Sequence, residues 1–206
     1  MSELFSIQLQ NRQQQGRDGV WLDLPTTTEQ VQAALRQIGI SSDNPQGLFI
    51  SGYFAEEEKR FAIPYNMVLA SNVDELNFLA ARLETLSTGE RAELNAALQA
   101  PQSELFSIGR ITDFPENVDY YVHLPDVHGP AQLGDYYLNR SGMVDMPEEW
   151  KGGIDTAQFG RYVAQQEQGV FTEYGYLVKS GDAWQKVHEG QPVPEEYRVL
   201  SFPAPE

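Results

Sequence analysis

The hexapeptide SELFSI occupies residues 2–7 and returns at residues 103–108. If the two copies marked a duplication, the chain would be a pair of like domains. The residues that follow decide against it. After Ile7 the chain reads QLQNRQQQG, and after Ile108 it reads GRITDFPEN. The likeness stops at once, so the copies sit in different structures. In the first copy Phe5, Ile7 and Leu9 alternate with Ser6, Gln8 and Gln10, which is the period of a strand. The second follows a helix stop at Pro101, with Ser103 placed to cap a short new helix. One hexapeptide in two conformations is therefore expected, with tertiary context deciding.

The first copy leads into an N-terminal sheet. GRDG at residues 16–19 marks a hairpin turn, and VWLDL at residues 20–24 is the returning strand. Thr26 and Glu29 have the spacing of a capping box; Val31, Ala34, Leu35 and Ile38 then share one helical face, ended by Gly39. Residues 48–54 read as a further strand. Next, Asn72 with Glu75 and Ser87 with Glu90 each open a helix. The apolar stripes are Leu76, Leu79, Leu83 and Leu86, then Leu94, Ala97 and Leu98. This predicts a helical hairpin.

Beyond the second copy, residues 118–124 read as a strand and residues 132–139 as a helix ended by Gly142. A helix over residues 154–166 shows Phe159, Tyr162 and Val163 on its apolar face. Residues 170–178 form a tight hairpin. Pro192, Pro194, Pro203 and Pro205 mark the end of the chain as a loosely attached extension. The fold class is α+β. The expected division is an α+β lobe over residues 1–70, a helical lobe over 71–102, an acidic α+β lobe over 103–181, and a Pro-rich extension over 182–206.

The chain carries 30 acidic and 14 basic residues, a net charge of −16, and no cysteine. Direct binding to nucleic acid needs clustered Lys and Arg and is excluded, as is an anionic membrane surface. The lack of cysteine rules out disulfides, thiolate catalysis and Cys-ligated zinc. No apolar run has the length of a membrane span, and the N-terminus lacks the order of a secretion signal, so a cytoplasmic location is expected. A cation-lined partner is the electrostatic complement, although acidity also serves solubility alone.

Catalytic patterns are absent: there is no GxSxG elbow, no GxGxxG and no GxxxxGK[ST]. HLPDVH at residues 123–128 offers two histidines and Asp126, but its spacing matches no metal-binding pattern. His123, His128 and His188 are read as ordinary histidines, with no metal and no cofactor. The informative feature is TDFPENVDYYVHLPD, residues 112–126. It holds Asp113, Glu116, Asp119 and Asp126, and no Lys or Arg occurs between Arg110 and Arg140. A solvated face would mix in cations for local pairing. Unanswered like charges suggest that an external surface supplies the compensation. A DNA-binding cleft is such a surface, lined with Lys and Arg to match a phosphate ladder.

Three stretches carry a family resemblance. LGDYYLNRSG, MPEEW and IDTAQFGRYVAQQEQGVFTEYGYL, within residues 133–177, resemble the C-terminal part of ArdA-type antirestriction proteins. NVDELNFLAARLETLSTGERAELNAAL, residues 72–98, resembles the central helices of that family. FSIQLQN and VWLDLP resemble its opening strands. The resemblance covers roughly residues 4–180. It implies an elongated molecule of three small lobes that dimerises and mimics bent duplex DNA. Such proteins are encoded by mobile genetic elements and occupy the DNA-binding cleft of type I restriction-modification enzymes, without catalysis of their own. The chain departs from the pattern in its weakly charged residues 1–70, net −3, and in the extension after Ser180.

On this reading the phosphate surrogates are Asp113, Glu116, Asp119, Asp126, Asp135, Asp145, Glu148, Glu149 and Asp155. Phe159 and Gly160 are read as packing residues, and Arg161 as the partner of a nearby carboxylate. Tyr120, Tyr121, Tyr136, Tyr137 and Tyr176 are assigned to a core. The alternative is a protein-interaction module of a mobile element that kept the fold and lost the mimicry. A hydrolase with an unrecognised carboxylate pair is the remaining rival.

Overall fold

Burial along the strand Phe5–Asn11 (β1) alternates residue by residue, with Phe5, Ile7, Leu9 and Asn11 inside. The computed structural model describes residues 4–14, 18–56, 60–101 and 103–205. β1 is the middle strand of an antiparallel sheet, between Val20–Leu24 (β2) and, after the first helix, Leu48–Phe54 (β3). Ile7 stands opposite Leu22 on one side and Tyr53 on the other. The pairing with β3 slips between Gln8 and Leu9, a bulge that re-aims the strand. Part of the predicted β1–β2 turn, residues 15–17, lies outside the described residues.

The helix Thr28–Gln37 (α1) begins one residue later than the sequence suggested. Its N-cap is Thr27, whose side chain accepts the Gln30 N–H while the Gln30 side chain accepts the Thr27 N–H. Thr26 is buried, and its N–H donates to Asn77 Oδ1 at 2.7 Å. A buried donor needs a partner, so the cap moved on by one. Val31, Ala34 and Leu35 are buried as expected, and Gly39, with φ of +66°, ends the helix. A short helix, Tyr65–Leu69 (α2), follows. Then comes Val73–Glu84 (α3), whose Asn72–Glu75 capping box is as predicted and whose Leu76, Leu79 and Leu83 are buried.

The chain now changes unit. Two compact units are formed: residues 1–86, 105–116 and 186–206 make the first, and residues 87–104 and 117–185 the second. The helix Thr88–Gln99 (α4), with its Ser87–Glu90 box, belongs to the second unit; Ile108–Thr112 (α5) belongs to the first. α5 shows what the repeated hexapeptide does. Its cap is Ser107, not Ser103, and only Ile108 of the second copy is helical, whereas residues 5–7 of the first copy are strand.

Residues 186–205 are not a loose tail. Asp74 Oδ1 accepts the N–H groups of Val199 and Leu200, each at 2.7 Å. Asn77 donates to the Tyr197 carbonyl at 3.0 Å, and the Ser42 N–H to that of Pro203 at 2.9 Å. Val199 is buried, and the Tyr197 ring stacks on Phe78 with centroids 4.7 Å apart. Proline content misled because it removes N–H donors without preventing the remaining backbone from bonding to side chains.

In the second unit the predicted strand over 118–124 narrows to Tyr121–Leu124 (β4), because Asn117 and Tyr120 close a turn. Pro130–Asp135 (α6) continues as a π-helical turn, Tyr136–Arg140, that stops before Gly142 at φ of +69°. After Glu148–Lys151 (α7) and Thr156–Glu167 (α8) come Val170–Thr172 (β5) and Gly175–Lys179 (β6). The sheet order is β4-β6-β5, all antiparallel. The core is Val127, Leu133 and Tyr176, with Tyr136, Tyr137, Val163 and Phe171 packed against it. Tyr162, predicted for the apolar face of α8, is exposed.

Candidate functional site: the acidic surface

The nine sequence-selected carboxylates fall into three environments. Asp113 is fully buried. It accepts the N–H of His188 on Oδ1 at 2.6 Å and those of Val187 and Glu189 on Oδ2 at 3.2 Å each. Its position on the C-cap of α5 points it inward. It therefore leaves the list of surface anions: three successive N–H groups take the place of water around its charge. The three-residue recurrence of Asp113, Glu116 and Asp119 placed it on a face that does not exist, because α5 ends at Thr112.

Three more carboxylates are answered internally. Glu116 pairs with Arg82. Asp135 holds Arg140 at 2.9 Å and also accepts from Asn139. Glu148 pairs with Lys151 at 2.9 Å, one helical turn on. The cation-free run in the sequence hid the first of these, since Arg82 arrives from α3.

Five remain open. Asp119, Asp126, Asp145, Glu149 and Asp155 are exposed and make no ion pair among the described residues. All five lie in the second unit. Asp155 also caps α8, accepting the Gln158 N–H at 2.9 Å; the helix dipole favours its charge there. Arg161, expected to pair with a carboxylate, is exposed without one among the described residues.

Sequence spacing missed Glu93 on α4, which feels the charges of both Glu90 and Asp119. Burial pushes the Glu93 carboxyl up to about 8, and the charges of Glu90 and Asp119 push it the same way. Its Oε1 is buried with no hydrogen-bond partner among the described residues. Glu90 is held below the usual carboxylate range by its hydrogen bonds to Ser87. No local signal could have found this group, because Asp119 stands 26 residues beyond Glu93 in the sequence.

Glu167 bridges two core tyrosines: Tyr176 donates to it at 3.0 Å and Tyr137 donates to its other oxygen. Burial, and then the hydrogen bond to Glu167, raise both phenols. Tyr120, Tyr121 and Tyr176 are buried, as the core assignment expected.

The stretch HLPDVH gathers no metal ligands: His123 Nε2–H donates to the Tyr174 carbonyl at 2.7 Å, and His128 is exposed. Among the described residues the one group with metal-like proximity is Asp113, Glu116 and His188, whose ligand atoms lie within 4.8 Å of one another. Both oxygens of Asp113 already accept N–H groups, and Glu116 is held by Arg82.

Charge is spread differently in space than along the chain. Counted from the sequence, the first unit holds 17 acids and 9 bases and the second 13 and 5, a net of −8 each. The last residues carry their acids back to the first unit. No helix among the described residues is long and apolar enough to cross a membrane.

A comparison with curated proteins finds no match. The model of the antirestriction protein (ArdA) family matches residues 15–178. That span takes in both sheets in part or whole, α1 through α8 and all nine selected carboxylates. The chain belongs to the ArdA antirestriction protein family.

Proposed function

We propose that this protein inhibits a type I restriction-modification enzyme by occupying its DNA-binding cleft as a non-enzymatic mimic of duplex DNA. Membership of the family implies an antirestriction role and an interaction with restriction-modification enzymes. The observation that carries the finer reading is the set of five exposed carboxylates on the second unit that make no ion pair among the described residues. Anions that meet no cation at home gain most from a groove lined with Lys and Arg. Association would release the counterions held on both surfaces and would be steered over long range.

The proposal includes a homodimer acting in the cytoplasm on behalf of a mobile element. Met143, Trp150 and Tyr162 of the second unit are exposed apolar side chains of the kind an interface between copies would cover. Sedimentation velocity tests the dimer directly.

Competition tests the mimicry. Labelled duplex carrying the recognition sequence is bound to the methyltransferase core of a type I enzyme, and the protein is titrated in. A mimic displaces the duplex, and its inhibition constant weakens roughly a hundredfold or more between about 50 and 200 mM salt. Binding without displacement of duplex would instead support the second reading, a module that kept the fold without the mimicry. The internal pairing of Glu116, Asp135 and Glu148 favours that reading.

A further inference from the structure

A cavity of about 590 Å³ opens within the first unit. That volume lies in the range of small-molecule sites. Its apolar walls include Met67, Phe78, Ile108 and Val193. Two of the hydroxyls that line it present acceptors. Ser71 spends its only hydroxyl proton on the Met67 carbonyl at 2.8 Å, and Thr112 spends its own on the Ile108 carbonyl at 2.8 Å. What each turns outward is lone pairs.

Two carboxylates complete the lining. Glu189 is answered by Arg110 at 3.0 Å and Lys186 at 3.4 Å. Glu75 accepts the Asn72 N–H at 3.3 Å in the capping box and has no cation partner among the described residues. Among the described residues no Lys or Arg lines the cavity. The wall is also held in place from behind. Asp113 fixes residues 187–189 through three N–H groups, and the His188 ring stands edge-on to Phe78 at 4.9 Å.

We propose that this cavity binds a small organic ammonium compound, with an apolar body against Phe78 and Ile108 and its charged N–H donors at Glu75. The ligand supplies the positive charge that the described lining lacks. An anionic ligand would meet the Glu75 carboxylate and bind several times more weakly than its cationic isostere. The site lies outside the acidic surface of the second unit and does not rest on the reading of that surface.

Phenethylammonium and 3-phenylpropanoate test the idea as a matched pair of opposite charge. Each is titrated into the full-length protein while backbone amide shifts are followed by NMR. Phenethylammonium is expected to shift Gly109, Gly190 and Gln191 saturably, and the carboxylate to leave them in place. Glu75→Gln keeps the capping box and should weaken the ammonium about fivefold to tenfold. Ala70→Leu, at an exposed position bordering the cavity, should abolish the shifts while leaving the rest of the spectrum intact. Equal binding of the two probes, binding that Glu75→Gln does not change, or no saturable shift at these amides would each overturn the proposal.

Discussion

The His188 N–H donates to Asp113 Oδ1 at 2.6 Å, across 75 residues of sequence. With the Val187 and Glu189 bonds, this contact makes Asp113 the anchor of the last segment of the chain. Replacing it with alanine would leave three part-buried N–H groups without their acceptor, at a cost of about 2–4 kcal/mol. Asp113→Ala is expected to lower the melting temperature and to expose residues 186–206 to limited proteolysis. Asp119→Ala, at an exposed site, should do neither. Equal stability of the two variants would show that Asp113 does not hold the segment.

Glu93 makes the second unit sensitive to pH. Its carboxyl sits near 8 in the fold, above the ordinary value of 4.5, because burial and two neighbouring acids disfavour its charge. The folded state therefore binds a proton more tightly than the unfolded state between those values. Stability falls as pH rises through that window. The melting temperature should drop between about pH 4.5 and pH 8, and Glu93→Gln should flatten that slope. A Glu93→Gln variant with the parent's pH profile would place the cause elsewhere.

Gly160 of α8 faces the backbone of α6. A Cβ built there would lie 1.8 Å from the Pro130 carbonyl oxygen and 2.8 Å from the Gly134 nitrogen. Neither is the mobile end of a side chain, so the helices must move apart. Gly160→Ala is expected to destabilise the protein by roughly 1–3 kcal/mol. Chemical denaturation reads this directly, and an unchanged midpoint would mean that the two helices are not packed this closely.

Neutralising the open carboxylates separates charge from fold. Asp119→Asn, Asp126→Asn, Asp145→Asn, Glu149→Gln and Asp155→Asn together remove five charges, and asparagine still caps α8. Inhibition of a type I enzyme should fall by a factor of ten or more, with little change in melting temperature. The same replacement at Glu116, Asp135 and Glu148 is expected to matter less, since their charges are already met by Arg82, Arg140 and Lys151. Reversal of that order would move the functional surface to the paired set.

Local signals in the sequence determined most of the elements. The alternation of Phe5, Ile7 and Leu9 specifies a strand with one wet face. Asn72 with Glu75 and Ser87 with Glu90 specify helix starts, because each pair satisfies backbone donors that the helix leaves open. The turn glycines Gly39 and Gly142 adopt left-handed backbone that other residues resist. Composition alone set the charge and the lack of thiol chemistry. Tertiary structure decided what depends on distant partners. Asn77 drew Thr26 away from its cap. Arg82 answered Glu116, and the N–H groups of residues 187–189 took Asp113 out of the surface. Residues 5–7 of the first hexapeptide became strand because β2 and β3 flank them; the second copy lacks such neighbours and only begins a helix. Burial and pairing are properties of what lies across a contact, and a linear chain states its residues without stating what they will face.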